Sequence, residues 1–157
     1  MELHEAVGAA RQHHQSTLVT LRSDGLPQLS NVVHAVGEDG VIRVSTTAGR
    51  AKTANLRRRP WAALKLDAGS FWSYAVIEGS VALSPVASAV DDACVDELAE
   101  LYRAVSGEHP DWDDYRASMV ADRRLVIRLA PERAYGALRR PSSWWAPASP
   151  AWRRPAP

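Results

Sequence analysis

The fold is decided by residues 16–46, which read STLVTLRSDGLPQLSNVVHAVGEDGVIRVST. Apolar and polar residues alternate in three strand-like runs within it: Ser16 to Arg22, Gln28 to Val36 and Val41 to Thr46. The connections between them, SDGLP and GEDG, are short and rich in turn residues. A parallel pair of strands would need a much longer crossover, so these strands are predicted to run antiparallel as a meander.

Further helix and strand signals extend the meander in both directions. The residues before it, Glu2 to Gln15, read as a weak helix. Beyond it, the predicted helices are Arg50 to Arg59, Asp91 to Val105 and a segment beginning at Asp111. The remaining strand-like runs are Trp61 to Asp67, Trp72 to Leu83, Arg124 to Leu129 and Arg133 to Leu138. Gly79 is a candidate for a β-bulge, and Asp111 for a helix cap.

These elements predict a mainly β (α+β) protein. Antiparallel strands in this number hide their edges by closing on themselves. We therefore expect a split β-barrel of six or seven mostly antiparallel strands with small flanking helices. The barrel should occupy residues 1–138, and residues 139–157 should form an irregular tail rich in proline and tryptophan.

Composition indicates a soluble protein. The chain has 157 residues and a net charge of +1, so no overall field favours nucleic acid or an acidic membrane. The first residues lack the basic and apolar regions of a signal peptide, and no apolar run approaches the ~20 residues that span a bilayer. Cys94 is the one cysteine, which suits a reducing compartment. We expect a cytoplasmic protein.

Several common catalytic motifs are absent from the sequence. It contains no dinucleotide-binding glycine motif, no Walker A loop, no nucleophile elbow and no zinc-ligand spacing, so no metal site is expected. His13 and His14 are adjacent, and neighbours on a helix do not face one site, so both are interpreted as surface histidines.

The segment Arg50-Ala51-Lys52-Thr53-Ala54-Asn55-Leu56 is the strongest candidate site. It follows a predicted strand through a turn of small residues, so a helix starting there directs free backbone N–H groups and its dipole at the turn. Arg50 offers a bidentate fork, Lys52 a compact charge and Thr53 a hydroxyl donor. Such a start suits a phosphate. On composition alone, a solvated basic helix is the favoured explanation of the segment.

Trp72-Ser73-Tyr74 is the second candidate, because an aromatic ring can stack on a planar cofactor while a serine bonds its edge. The alternative is a strand whose aromatic residues fill the core. Asn31 and Ser45 are polar residues in otherwise apolar strands, and either line a polar pocket or face solvent.

Five stretches, in this order, resemble the pyridoxamine 5'-phosphate oxidase-like superfamily, and most closely its flavin/deazaflavin oxidoreductases of the B type. They are residues 24–32 (DGLPQLSNV), 50–58 (RAKTANLRR), 72–79 (WSYAVIEG), 108–116 (EHPDWDDYR) and 122–124 (DRR). The resemblance implies a split-barrel homodimer with two cofactor sites at the subunit interface. It implies coenzyme F420, a deazaflavin with a phosphate and an oligoglutamate tail.

The same resemblance assigns roles to individual residues. Arg50 and Lys52 would grip the phosphate, and Ala51 and Thr53 would add backbone or hydroxyl donors. Asn55 belongs to the same cofactor-binding motif. Asn31 and Ser45 would lie near the ring, and Trp72, Ser73 and Tyr74 would flank it from the partner subunit.

An F420-dependent reductase that transfers a hydride to a small organic substrate is the leading interpretation. No residue is singled out as the catalytic acid. An FMN-binding oxidoreductase of the same fold is the first alternative, because the same phosphate grip would serve FMN. A non-catalytic protein that binds or carries F420 is the second. His34 falls where family members vary, so the substrate is not carried over.

Overall fold

The predicted meander forms an antiparallel ladder in the computed structural model, which describes residues 1–139. Strand β1 (Gln15–Leu21) pairs with β2 (Pro27–Val36) along its whole length. Strand β2 pairs with β3 (Ile42–Thr47) only from His34 to Val36, where His34 lies opposite Val44. The first part of β2 therefore separates from β3, and the barrel opens at this point.

Three longer strands complete the barrel: β4 (Trp61–Ser70), β5 (Ser73–Leu83) and β6 (Arg124–Ala137). The strand order is β1-β2-β3-β6-β5-β4, and β4 pairs back onto β1 to close the barrel. Every pair is antiparallel. The six-stranded barrel confirms the predicted fold class.

Four helices flank the barrel in the described residues: α1 (Leu3–Gln12), α2 (Ala51–Arg58), α3 (Ala93–Ser106) and α4 (Trp112–Ala121). Local capping explains where several of them begin. The Asp92 carboxylate accepts the Val95 N–H at 2.8 Å at the start of α3. Asp111 accepts the Asp114 N–H at 3.1 Å, which confirms the predicted cap of α4. Within residues 1–139 no helix is long and apolar enough to cross a bilayer.

The core has two parts because the sheet is covered on both faces. Alternate strand residues fill the barrel, and α1 packs against this interior through its alanines; the cluster includes Ala6, Ala10, Leu18, Ile42, Leu64, Ile77 and Ile127. On the outer face of β6, Val126 packs against Val95, Leu98 and Met119 of α3 and α4. The helices α3 and α4 therefore cover one outer side of the barrel.

The structure corrects the prediction at the ends of two strands. Two runs expected after α4 form the single strand β6, because a bulge near Pro131 lets the ladder continue past a residue that cannot donate a hydrogen bond. Opposite that bulge, a Cβ on Gly79 would lie 1.8 Å from the Ala130 carbonyl oxygen, so the predicted irregularity at Gly79 is confirmed. Trp72 was expected within a strand, but it lies in the turn between β4 and β5.

Candidate functional site

Helix α2 begins with unsatisfied backbone donors, as the sequence predicts. Arg50 is the N-cap residue, with extended backbone and no side-chain capping bond. Its own N–H reaches the Thr47 carbonyl at 3.3 Å, whereas the N–H groups of Ala51 and Lys52 donate to no atom of the described residues. These two amides and the positive end of the helix dipole favour an anion at this position.

Three cationic side chains gather beside this helix start. Arg50 is exposed and Lys52 is half-buried, while Arg124 reaches them from the first position of β6, opposite Thr47. Burial lowers the pKa of Lys52, and the positive charges of Arg50 and Arg124 lower it further. The cluster therefore carries an unfavourable concentration of positive charge that a bound anion would relieve.

Arg124 is incompletely hydrogen-bonded in the described structure. One terminal nitrogen donates to the Ser45 hydroxyl at 3.3 Å. Its Nε is buried and has no hydrogen-bond partner among residues 1–139. A buried donor without a hydrogen-bond acceptor lowers stability by about 1–3 kcal/mol. Such an atom therefore indicates that a ligand's acceptor atom completes the site when bound.

Two other arginines on β3 and β6 differ from this cluster because they have a carboxylate partner. Arg43 and Arg128 both donate to the Glu97 carboxylate at 2.8 Å. By comparison, Arg50, Lys52 and Arg124 form no ion pair with any carboxylate of the described residues. Two guanidinium groups, one ammonium and two free amides make a site suited to a phosphate group.

Two residues of the predicted motif face the protein interior instead. Thr53 is fully buried, and its hydroxyl donates to the Thr47 carbonyl at 2.8 Å while its N–H bonds the Arg50 carbonyl. Asn55 is buried, and its amide donates to Thr20 at 3.1 Å and to Gln28 at 2.6 Å. Both side chains tie α2 to the barrel, so the structure does not bring them to the cation cluster.

Asn31 and Ser45 lie on the two strands that separate at the barrel opening. Ser45 is half-buried beside Arg124, next to the cation cluster. Asn31 is exposed on β2, where its side-chain oxygen accepts a 3.5 Å bond from the Thr17 hydroxyl. The pairing of β2 with β3 ends at His34 and Val44, so Ser45 follows the last paired residue of β3 and Asn31 lies three residues before the first paired residue of β2. The two predicted ring contacts therefore flank the opening from opposite sides.

Trp72, Ser73 and Tyr74 lie far from the cation cluster within one chain. They precede or begin β5, whose first residues pair with the last residues of β6, with Tyr74 opposite Ala137. Arg124 begins that same strand β6, so the strand's 14 residues separate the two sets, up to about 40 Å along it. Ser73 is buried, and its Oγ accepts the Arg139 N–H at 3.1 Å.

The structure also shows functional candidates to which sequence reasoning assigned no role. Arg124 joins the site through strand pairing, although it follows Lys52 by more than seventy residues in the sequence. The helix predicted over Glu2 to Gln15 ends earlier, at Gln12, so His13 and His14 lie beyond it, and both partly exposed side chains line one open cleft. Among residues 1–139, no three side chains of His, Cys, Asp or Glu converge as a metal site.

Solved structures share this architecture. The chain superposes on an F420 reductase with a TM-score of 0.62 at 22% identity, covering 82% of this chain and 94% of that one. A pyridoxamine 5'-phosphate oxidase-related, FMN-binding protein from Nostoc punctiforme gives a TM-score of 0.60 at 16% identity, covering 84% and 80%. The haem storage protein HutZ from Vibrio cholerae gives 0.62 at 14% identity, covering 87% and 95%. These likenesses establish the fold.

The sequence itself matches the family described as Pyridoxamine 5'-phosphate oxidase over residues 3–137. This match spans all six strands and all four helices of the described residues, including the helix start with its cation cluster. The chain therefore belongs to the pyridoxamine 5'-phosphate oxidase family.

Proposed function

We propose that this protein is an F420-dependent oxidoreductase that transfers a hydride between the deazaflavin and a small organic substrate. The observation that carries the proposal is the cluster of Arg50, Lys52 and Arg124, which lacks carboxylate partners in residues 1–139 and leaves Arg124 Nε buried and unbonded. A phosphate monoester or diester fits this donor set. The similarity in fold to an F420 reductase favours the deazaflavin.

The chain's own residues bind and orient the cofactor in this proposal. Arg50, Lys52 and Arg124 neutralise the phosphate, and the amides of Ala51 and Lys52 bond its oxygens. Asn31, across the barrel opening, would contact the cofactor ring. The bound deazaflavin supplies the hydride from C5 of its reduced ring, and the protein supplies position and electrostatics.

We propose that the functional unit is a homodimer. Trp72 and Tyr74 lie at the opposite end of β6 from Arg124. Only a second copy of the chain could therefore bring them to the ring of a cofactor whose phosphate is bound by Arg124. Apolar side chains are exposed near that end of the barrel: Phe71 is 72% exposed, Tyr135 51% and Trp72 47%. An interface between copies would cover such a surface. With its single, buried cysteine, the protein suits the cytoplasm.

Titration of tryptophan fluorescence with F420 tests the phosphate assignment. Arg50→Ala, Lys52→Ala and Arg124→Gln should each weaken binding by about 10- to 100-fold, because each removes a charge-assisted hydrogen bond. Arg123→Asn is the matched control: Arg123 is exposed, it precedes Arg124, and its positive φ of 52° suits asparagine. F420 affinity equal to wild type in the Arg50/Lys52 double variant would refute the assignment.

The two alternatives are separated by ligand choice and turnover. The cluster would accept FMN as readily as F420, and an FMN-binding protein shares the fold. Tight quenching by FMN with none by F420 would favour the FMN-dependent enzyme. A protein that binds F420 but turns over no quinone, enone or tetrapyrrole would instead be a carrier.

A further inference from the structure

An open cleft of about 900 Å³ lies beside the proposed cofactor site, on the outer surface of β1, β2 and β4. Its walls come from the residues after α1, from the two strands next to the barrel opening and from the end of α3; those used below are His13, His14, Asn31, Val33, Lys65 and Val105. Asn31, a proposed ring contact, is one of the cleft's lining residues, so a cofactor ring beside Asn31 would border this cleft. It has room for an organic molecule besides part of the cofactor ring.

His14 has a defined tautomer at the edge of this cleft. Its Nδ1 lies 3.0 Å from the carbonyl oxygen of His34, and a carbonyl only accepts, so Nδ1 carries a hydrogen. The His34 N–H donates in return to the His14 carbonyl at 2.8 Å. No described residue bonds Nε2 of His14, so this nitrogen is available to a hydrogen-bond partner in the cleft.

The other polar groups in the cleft or next to it are committed elsewhere or are not oriented. Lys65 pairs with Asp67 at 2.5 Å, so their charges offset each other. His34 is fully buried: its Nε2–H donates to the Ala10 carbonyl at 3.0 Å, its Nδ1 accepts the Ser16 hydroxyl at 2.8 Å, and burial lowers its pKa. His13 makes no side-chain hydrogen bond within residues 1–139. Only His14 combines a fixed ring with a free nitrogen.

We propose that His14 is the proton donor of this enzyme and that the cleft binds carbonyl-conjugated acceptors, such as enones, with the substrate oxygen at His14 Nε2. This inference rests on the proposed function, because it needs the reduced deazaflavin as hydride source. Val33 and Val105 provide the apolar walls that a planar acceptor requires.

The step balances with these components. A hydride adds to the β-carbon of the enone, and the electron pair of the double bond shifts through the conjugated system to the carbonyl oxygen. The Nε2–H bond of the His14 imidazolium breaks as the oxygen–hydrogen bond forms, so the product is an enol that tautomerises to the saturated ketone. A bound reduced deazaflavin would supply the hydride and would itself be oxidised, and water would return the proton to His14 Nε2. The His34 carbonyl keeps the imidazolium ring oriented throughout.

Binding of 4-nitrophenol to the cofactor-free protein tests the cleft independently of turnover. Its oxygen mimics the enolate, and its absorbance reports hydrogen bonding. We expect the wild type to bind it and His14→Gln to weaken binding by about tenfold or more, whereas His4→Gln, at an exposed position of α1 outside the cleft lining, leaves it unchanged. Val105→Trp should also block the probe, by filling the cleft without altering the imidazole. A wild type that does not bind the probe, or His14→Gln that binds it equally well, would overturn the proposal.

A measurement of enzyme activity is the second test. With reduced F420 and 2-cyclohexen-1-one, His14→Gln should lower kcat by about 10²- to 10⁴-fold while F420 affinity stays at the wild-type value. That combination separates this proposal from the phosphate assignment, whose variants lose F420 affinity. If the wild type failed to bind F420 or FMN, the proposed function would fail, and probe binding would still decide whether His14 and the cleft form a site.

Discussion

At the scale of single residues, the energetics of the proposed site centre on uncompensated positive charge. Lys52 is half-buried beside two guanidinium groups, and the burial and these charges lower its pKa. Its protonated form is therefore less favourable in the folded than in the unfolded chain. Functional sites often contain such unfavourable charge interactions, which ligand binding then relieves.

A neutral residue at position 52 should therefore stabilise the cofactor-free protein. Lys52→Met keeps the length of the side chain and removes the charge, so its Tm should rise at pH 7 while F420 affinity falls by about tenfold or more. The Tm difference should shrink as alkaline pH deprotonates Lys52 in the wild type, since its folded-state pKa is the lowered one. Calorimetry measures both trends. A lower Tm for Lys52→Met at pH 7 would contradict the charge argument.

Sequence reasoning identified some site residues and misplaced others for a physical reason. Arg50 and Lys52 precede or begin a helix that follows a strand, and local sequence alone predicts their surroundings. Thr53 and Asn55 belong to the same motif, but the rotation of the helix turns both toward the barrel, where they bond other elements. Arg124 belongs to the 122–124 stretch of the resemblance but received no role, because only the pairing of β3 with β6 brings it to α2.

At the scale of elements, Glu97 joins one helix to two strands. From α3 its carboxylate accepts the Nε–H groups of Arg43 on β3 and Arg128 on β6, both at 2.8 Å. The bond from Arg128, followed by that from Arg43, lowers the pKa of Glu97 although partial burial opposes the shift. The ionised form is thus favoured in the folded state.

Glu97→Gln should lower the free energy of unfolding by about 1–3 kcal/mol at pH 7, because two guanidinium groups lose a shared charged acceptor. Because the pKa of Glu97 is lower in the folded protein than its value of about 4.5 in the unfolded chain, its ionised carboxylate stabilises the fold above about pH 4.5. This stabilisation is lost as the pH falls through the folded-state pKa. Urea denaturation should therefore show the variant and wild type converging below pH 4.5. Glu100→Gln, which breaks an exposed pair with Arg103 on the same helix, should cost under about 0.5 kcal/mol.

The close approach of β5 to β6 gives a separate prediction. A Cβ at Gly79 would lie 1.8 Å from the backbone oxygen of Ala130, so Gly79→Ala must displace the bulge and should destabilise the fold by about 1–3 kcal/mol or more. Gly8→Ala is the matched control, since nothing lies within 4 Å of its Cβ and alanine favours helix α1 by about 0.5–1 kcal/mol. Thermal unfolding that ranked the two variants in the opposite order would refute this packing argument.

Most elements could be predicted from the sequence because alternation and helical spacing are local signals. Turn chemistry was less informative: the turn at Phe71-Trp72 carries two aromatic residues where glycine or asparagine is usual, so Trp72 was assigned to a strand. Pro131 suggested a break, but the bulge accommodates it within β6. His14 was placed on a helix because the first segment was predicted to continue to Gln15, whereas α1 ends at Gln12.

At the scale of the whole molecule, the predicted site residues fall into two sets at opposite ends of β6. Arg50 and Lys52 adjoin its first residue, whereas Trp72 and Tyr74 adjoin its last. No rotation of side chains within one chain could join sets separated by most of a 14-residue strand. The proposed homodimer resolves this if its two-fold axis sets the first half-site of one copy beside the second half-site of the other.

Mixing two defective variants distinguishes such a shared site from a site within one chain. Lys52→Ala removes part of the first half-site and Trp72→Ala part of the second, so each homodimer should bind F420 weakly. After subunit exchange, half of the dimers contain both variants, and each of these has one site with two defects and one intact site. About a quarter of all sites should then recover wild-type affinity. If Lys52 and Trp72 served one site of the same chain, every site would keep a defect, and isothermal titration of the mixture would show no tight-binding fraction.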